Sequence, residues 1–299
     1  MALKVKPKRL KWAKSRGAAL VGLPLHYPMG VAGKYASDMD RLIRAMRQEY
    51  ERELRELFDQ LGGQLIGEDG SVAMDASLAS QARILFGWLG RKYAKLFADR
   101  ADSLTDRMIS RVDRAAKASL EDSLRKASGY LTLTVPDMPG DLKDKLTAAA
   151  VENVALIKSI QAQYHERIVS AVMVSVQTGG KGAADVMKEI RHIGGLSEKR
   201  AHLIATDQTR KITSAMNAER AKSVGMRKFR WMHSGGSAEP RELHVKMNGQ
   251  VFDYDDPPVI DDKTGERGFP GQLINCRCVA IPIIDFSDRR SIVGVPQGR

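Results

Sequence analysis

Cysteine is scarce in this chain. Only Cys276 and Cys278 occur among 299 residues, and a bridge across the single residue between them would be strained. A disulfide framework is therefore not expected, and a reducing compartment fits the composition better. Aromatic residues are few as well, at 6%, which is thin for an all-β protein. No uninterrupted apolar run reaches the roughly 20 residues needed to span a bilayer, so no membrane role is expected. The segment from Gly17 to Pro24 has some look of a secretory apolar core, but Pro24 interrupts it and no small-residue cleavage site follows. The glycine signatures of common catalysts are missing too: a P-loop lysine motif, a nucleophile elbow and a dinucleotide fingerprint. That absence removes most of the case for ATP hydrolysis, serine hydrolysis and dinucleotide chemistry.

What the chain does have is positive charge. Lys and Arg number 48 against 36 Asp and Glu, a formal net charge of +12. Such a surplus raises attraction to polyanions and speeds encounter with them. It is concentrated at the start, where the first 16 residues carry Lys4, Lys6, Lys8, Arg9, Lys11, Lys14 and Arg16 with no acid and one aromatic, Trp12. A block of this kind reads as a nucleic-acid contact or a docking tail that orders on a partner. No zinc finger, RNA-recognition signature or clear helix-turn-helix is visible, so nothing here reads a base sequence. Hydrophobic residues at 43% supply enough apolar surface for a packed core.

Residues 1–37 read as a basic extended arm, since Pro7, Pro24 and Pro28 interrupt any periodic pattern. Residues 38–135 read as a helical region. Asp38 is a plausible N-cap for a helix to about Leu61, with Leu42, Met46, Tyr50, Leu54 and Leu57 recurring at spacings of three and four. Two more helices are predicted over 77–104, with a stripe of Leu85, Leu89, Tyr93 and Leu96, and over 105–128. Residues 131–135 are β-prone. A long amphipathic helix starts at Asp141 and runs to about Gln177. A short helix over 183–192 is expected to stop at Gly194-Gly195, and another runs from Ser197 to Ser223, closed by a left-handed Gly225.

The character switches after Gly225. Residues 228–232, 251–252 and 278–284 read as strands, separated by dense Gly, Pro and Asn-Gly turn signals. The fold class is therefore α+β, with long helices followed by a small C-terminal antiparallel β element. Residues 286–299 read as a tail.

The block from 203 to 284 holds the informative motifs. It carries Ile204-Ala205-Thr206-Asp207-Gln208-Thr209-Arg210 on a helix, then Trp231 ahead of Ser234-Gly235-Gly236. Pro240-Arg241-Glu242-Leu243-His244 and Asn248-Gly249-Gln250 follow. The block ends with Pro270-Gly271, Asn275-Cys276-Arg277-Cys278 and an apolar strand. This order resembles the Mu F-like phage head morphogenesis family, the minor head proteins of tailed phages. The likeness covers roughly 140–285 and assigns residues 136–285 to that domain. The resemblance implies a minor capsid protein associated with the portal, acting in head morphogenesis and in DNA packaging or delivery. It implies the portal protein and viral DNA, bound without sequence preference, as partners, with major capsid or scaffold protein as further ones. It places the protein in the virion head interior or at the portal vertex, and in host cytoplasm during assembly. Some relatives carry an additional C-terminal toxin or nuclease domain; with about 15 residues past the last strand, none is expected here.

Read as chemistry, the same residues keep alternatives open. Arg241 and His244 are three apart, so one helical turn puts them on one face. Cys276 and Cys278 on a strand would face one side. Together with His244 they make three soft or borderline zinc ligands, and His233 is a candidate fourth. The plainer expectation is no cofactor, with both cysteines serving as small buried hydrophobes. In an enzymatic alternative, Arg241 and His244 act on a nucleic acid or on NAD. In the preferred one, Trp231, Arg241 and Asn275 are structural and the protein is not an enzyme.

Overall fold

The computed structural model of the chain describes residues 19–62, 76–128, 135, 140–178, 183–235 and 239–285. The basic arm with Lys4, Lys6, Lys8, Arg9, Lys11, Lys14 and Arg16 lies outside the described residues, as do most of 131–135 and all of 286–299. The fold is α+β. Strand β1 (Ala19–Val21) is followed by four long helices, α1 (Met29–Gly62), α2 (Ala76–Ser128), α3 (Gly140–Thr178) and α4 (Ala183–Ser223). Then come β2 (Lys228–Met232), the short α5 (Glu242–Lys246), β3 (Val251–Asp253) and β4 (Val279–Asp285). Among the described residues no helix is long and apolar enough to cross a membrane.

Helix α1 begins at Met29, well before the Asp38 expected from the sequence. Pro28 sits just ahead of it, and its carbonyl accepts the Val31 N–H at 2.9 Å. A proline costs nothing at a helix start, where its missing N–H would be an orphan anyway. Asp38 is instead an interior residue, paired with Lys34 at 3.2 Å and with Arg41. The two helices predicted over 77–128 are one. No Gly or Pro falls between Arg91 and Ser128, and a continuous buried row of Phe97, Ala101, Leu104, Met108 and Val112 carries the helix through Thr105. The buried row of its first half runs through Phe86, Leu89, Tyr93 and Phe97, one residue on from the expected Leu85 and Leu96. Gly194-Gly195 likewise does not stop a helix, because α4 runs through both. Two glycines cost a helix about 2 kcal/mol, and the burial of Ile190, Ile193 and Ala201 on the same helix offsets that.

The chain divides into two compact units. One contains residues 33–106 and 150–205, the other 1–32, 107–149 and 206–299. The described residues of the first are all helical. Met39, Ile43, Met46, Tyr50 and Leu54 of α1, Phe86, Leu89, Tyr93 and Phe97 of α2, and Ile157, Ile160, Tyr164 and Ile168 of α3 are buried in it. Tyr50 is central, with its ring 5.3 Å from Tyr164 edge-on and 5.9 Å from Tyr93.

The Tyr50 hydroxyl also meets His165 Nδ1 at 2.7 Å. Burial lowers the His165 pKa, because removing the ring from water disfavours its charged form. A histidine depressed in the folded state contributes stability that is complete above its unfolded pKa of about 6.5 and is lost as pH falls below it. Urea midpoints are therefore expected to drop between pH 7.5 and pH 5.5 in the wild type and to drop less in His165→Gln. Equal slopes in the two proteins would contradict the assignment.

Glycine positions in this unit separate packing from propensity. A Cβ on Gly90 would lie 2.8 Å from His165 Cε1, whereas one on Gly195 would meet nothing within 4 Å. Gly90→Ala should destabilise by on the order of 1–3 kcal/mol through overpacking. Gly195→Ala should stabilise by about 0.5–1 kcal/mol through helix propensity. Thermal melts of the two variants read out the opposite signs.

The second unit contains the sheet. Its order is β1-β4-β2-β3 and every neighbouring pair is antiparallel. Strand β1 has no sequence signal. It is three residues long and pairs Ala19, Leu20 and Val21 with Asp285, Ile284 and Ile283. The segment after it is pinned by Ser123 of α2, whose hydroxyl accepts the Leu23 N–H at 2.7 Å and donates to the Leu23 carbonyl at 2.9 Å. Helix α4 ends as expected at Gly225, with φ of 83°. The Met226 N–H reaches the Ala221 carbonyl and the Gly225 N–H the Lys222 carbonyl, both at 2.9 Å, which is a complete Schellman closure. The reversal aims β2 back over α4, so Phe229 and Trp231 enter a core shared with Leu120, Leu124, Ala218, Ala221, Tyr254 and Ile284.

Candidate metal centre

Three chain segments converge at one end of the sheet. The first is the end of β2, where alternation buries Trp231 completely and leaves His233 half-exposed just beyond the strand. Its position is set by the Asn248-Gly249 turn. Gly249 adopts a φ of 81°, its N–H reaches the Trp231 carbonyl at 2.8 Å, and the Asn248 side-chain oxygen accepts the His233 N–H at 2.9 Å.

The second segment is α5. Pro240 and an extended Arg241 (φ −65°, ψ 123°) lead into one helical turn. His244 on that turn is only 3% exposed and packs its ring 5.0 Å from the Trp231 indole, tilted by 60°. The third segment is the turn before β4. Asn275 is the one non-glycine residue with positive φ, 60°, among those described, a conformation that asparagine tolerates better than most residues. The Cys276 N–H closes this turn on the Leu273 carbonyl at 2.9 Å. Arg241 fastens the second segment to the third through a hydrogen bond from Nη2 to the Ile274 carbonyl at 3.1 Å.

The result brings His244, Cys276 and Cys278 together, with one ligand atom from each lying within 4.8 Å of the others. His244 Nδ1 is 3.5 Å from Cys276 Sγ and 3.8 Å from Cys278 Sγ. His233 lies outside that cluster, with Nδ1 3.5 Å from Cys278 Sγ. Both cysteines are free and buried. They sit ahead of β4, whose first residue is Val279. Exposed Arg277 lies between them, so the two thiols face one side as expected from alternation, in the segment that follows the left-handed turn at Asn275.

The His244 tautomer follows from its partners. Nε2 lies 2.9 Å from the Ile260 carbonyl, and a carbonyl only accepts, so Nε2 carries the proton. In the neutral ring Nδ1 then presents its lone pair to the sulfurs. The two thiols are strongly linked. The hydrogen bond from Cys278 lowers the Cys276 pKa against its burial, with His244 adding to the effect. The same pairing and burial raise that of Cys278.

This arrangement leaves His244 poorly suited to general-base work, since both ring nitrogens are engaged inside the protein. The cavity beside the thiols, lined by Tyr27, Arg210, Asn217, Cys276 and Cys278 among others, has about 20 Å³ of free space. That is room for a water molecule, not a nucleotide. Two contributors escaped the sequence reading. The Ile260 carbonyl has no residue-type signal. Arg210 was visible within its motif but without a role, and it stacks on Tyr27 with 4.4 Å from guanidinium to ring and donates to the Tyr27 hydroxyl at 2.8 Å.

A helix pair leading into a small sheet, closed by a histidine turn and two adjacent cysteines, defines a compact α+β module. Residues 148–281 match the model of the family described as Phage Mu protein F like protein, a likeness that suggests phage head morphogenesis. An uncharacterized protein of Haemophilus influenzae is 30% identical over 259 residues, covering 85% of this chain and 54% of that protein. The chain thus spans about half the length of that relative. The Bacillus subtilis protein YqbB, also uncharacterized, is 22% identical over 250 residues, 80% of this chain and 78% of its own. No solved structure matches the chain significantly.

Proposed function

We propose that this chain is a minor head protein, seated at the portal vertex or inside the phage head, which acts by binding and not by turnover. The observation that supports this is what the family's signature residues do. Trp231, Arg241, His244 and Asn275 are each engaged in closing the module, through burial, a carbonyl contact or a turn. Side chains used in this way serve architecture. The proposed partners are the portal protein and viral DNA. The surplus charge of +12 and the basic arm would meet phosphates, which position a protein without reading sequence.

The test has two arms. The full chain should copurify with the portal protein of the phage that encodes it. It should also shift random-sequence duplex DNA at 50 mM salt and lose at least about tenfold in affinity by 200 mM, as several phosphate contacts require. Deleting residues 1–16 should lower DNA affinity without moving the urea midpoint. Binding that ignores salt, or is absent at low salt, would remove the DNA half of the proposal. Failure to copurify would remove the portal half.

A further inference from the structure

We propose that His233, His244, Cys276 and Cys278 form a tetrahedral structural zinc site. The geometry of the sulfurs and nitrogens carries this. Zinc bonds of about 2.3 Å to sulfur and 2.0–2.1 Å to nitrogen, opened to a tetrahedral angle, place nitrogen and sulfur ligands roughly 3.6 Å apart. Three of the four nitrogen-to-sulfur separations here are 3.5, 3.8 and 3.5 Å; His233 stands outside the cluster of ligand atoms that lie within 4.8 Å of one another and completes the set on binding. Ordinary burial of two small hydrophobic thiols does not require them to meet imidazole nitrogens at that spacing.

The surroundings match a ligand set as well. His244 donates Nε2–H to the Ile260 carbonyl, the outer-shell contact that orients a metal-bound imidazole and leaves Nδ1 for the ion. The Trp231 indole N–H is completely buried, and it is directed at the Cys278 sulfur. A thiolate there accepts that proton donor better than a thiol does. On binding, each cysteine releases one proton to solvent. Two thiolates then balance the ion's charge with two neutral imidazoles, so the filled site is neutral overall and compatible with a buried position. Two nitrogens and two sulfurs in a tetrahedron select zinc over harder cations. His233 closes the fourth position, which makes the centre structural, since catalytic zinc keeps a position open. Its role is to tie the end of β2, α5 and the turn before β4 into one unit, in a sheet with little core of its own.

Metal analysis of the full chain, purified without chelator, should find about one zinc per chain, and Cys276→Ser/Cys278→Ser should abolish it. Because that double variant could lose its fold, the wild type provides a second reading. Cobalt(II) added to metal-free protein should give near-ultraviolet thiolate charge transfer and strong visible bands of tetrahedral coordination. His233→Ala, at a half-exposed position, should stay folded and bind zinc on the order of tenfold or more weaker. Protein that holds no zinc after zinc is supplied and gives only weak, six-coordinate cobalt bands would overturn the proposal. Unchanged affinity in His233→Ala would overturn the four-ligand assignment.

Discussion

Trp231→Ala is expected to destabilise the sheet-bearing unit by about 3–5 kcal/mol, the usual range for deleting a buried indole. The side chain is fully buried. It separates two groups that need it, with Phe252 edge-on at 6.2 Å and His244 at 5.0 Å. Its loss opens a cavity at the point where β2, α5 and the cysteine turn meet, and it frees the His244 ring to tilt away from the thiols. Small domains hold only about 5–15 kcal/mol in total, so this variant should unfold far earlier in urea. Trp231→Phe retains part of the packing and should lose less. Far-ultraviolet circular dichroism is the suitable probe, since the substitution also removes a fluorophore. A loss below about 1 kcal/mol would mean that the core does not close around this residue.

The second large effect is expected at Arg220 and Asp113. Arg220 on α4 has no exposed surface, and it is bonded to Asp113 on α2, whose side chain is 21% exposed. Removing Asp113 takes one counter-charge from a guanidinium with no exposed surface, at a cost of roughly 3–5 kcal/mol. Asp113→Ala should therefore be severely destabilised. Replacing both, as Asp113→Ala/Arg220→Met, should cost less than the sum of the two single substitutions. The neighbouring Glu219 is held by Lys222 at 3.1 Å and by Lys145, so α4 meets α2 and α3 through charges on consecutive residues. Urea denaturation of the two single variants and the double variant gives the coupling directly. Simple additivity of the single effects would contradict a paired, desolvated contact.

The parts of this fold that were legible from sequence are those whose causes are local. Gly225 could be placed at the end of α4 because a left-handed helix cap needs glycine and the apolar period stops there. The strands read at 228–232, 251–252 and 278–284 lie within a residue of β2, β3 and β4, because strand-prone residues bounded by turn signals are a local cause. Where the cause is distant, local reading failed. Gly194 and Gly195 have the chemistry of a helix stop, yet the buried faces on both sides of them keep α4 intact. Strand β1 exists because Ile283, Ile284 and Asp285 offer it a free edge, and nothing within residues 19–21 encodes that. The site divides in the same way. Histidine and two thiols can be recognised as ligand chemistry from the sequence. Their meeting depends on a positive φ at Asn275, on the Ile260 carbonyl and on Asn248 holding His233, all of which are products of the folded chain.

We propose a role for this protein as a component of the phage head. Quantitative mass spectrometry of purified heads, from the phage that encodes the chain, tests it most directly. The account predicts the chain in every preparation of procapsids and mature heads, at a low and constant ratio to the portal protein. Its presence in the infected-cell lysate combined with its absence from both particles would contradict the claim.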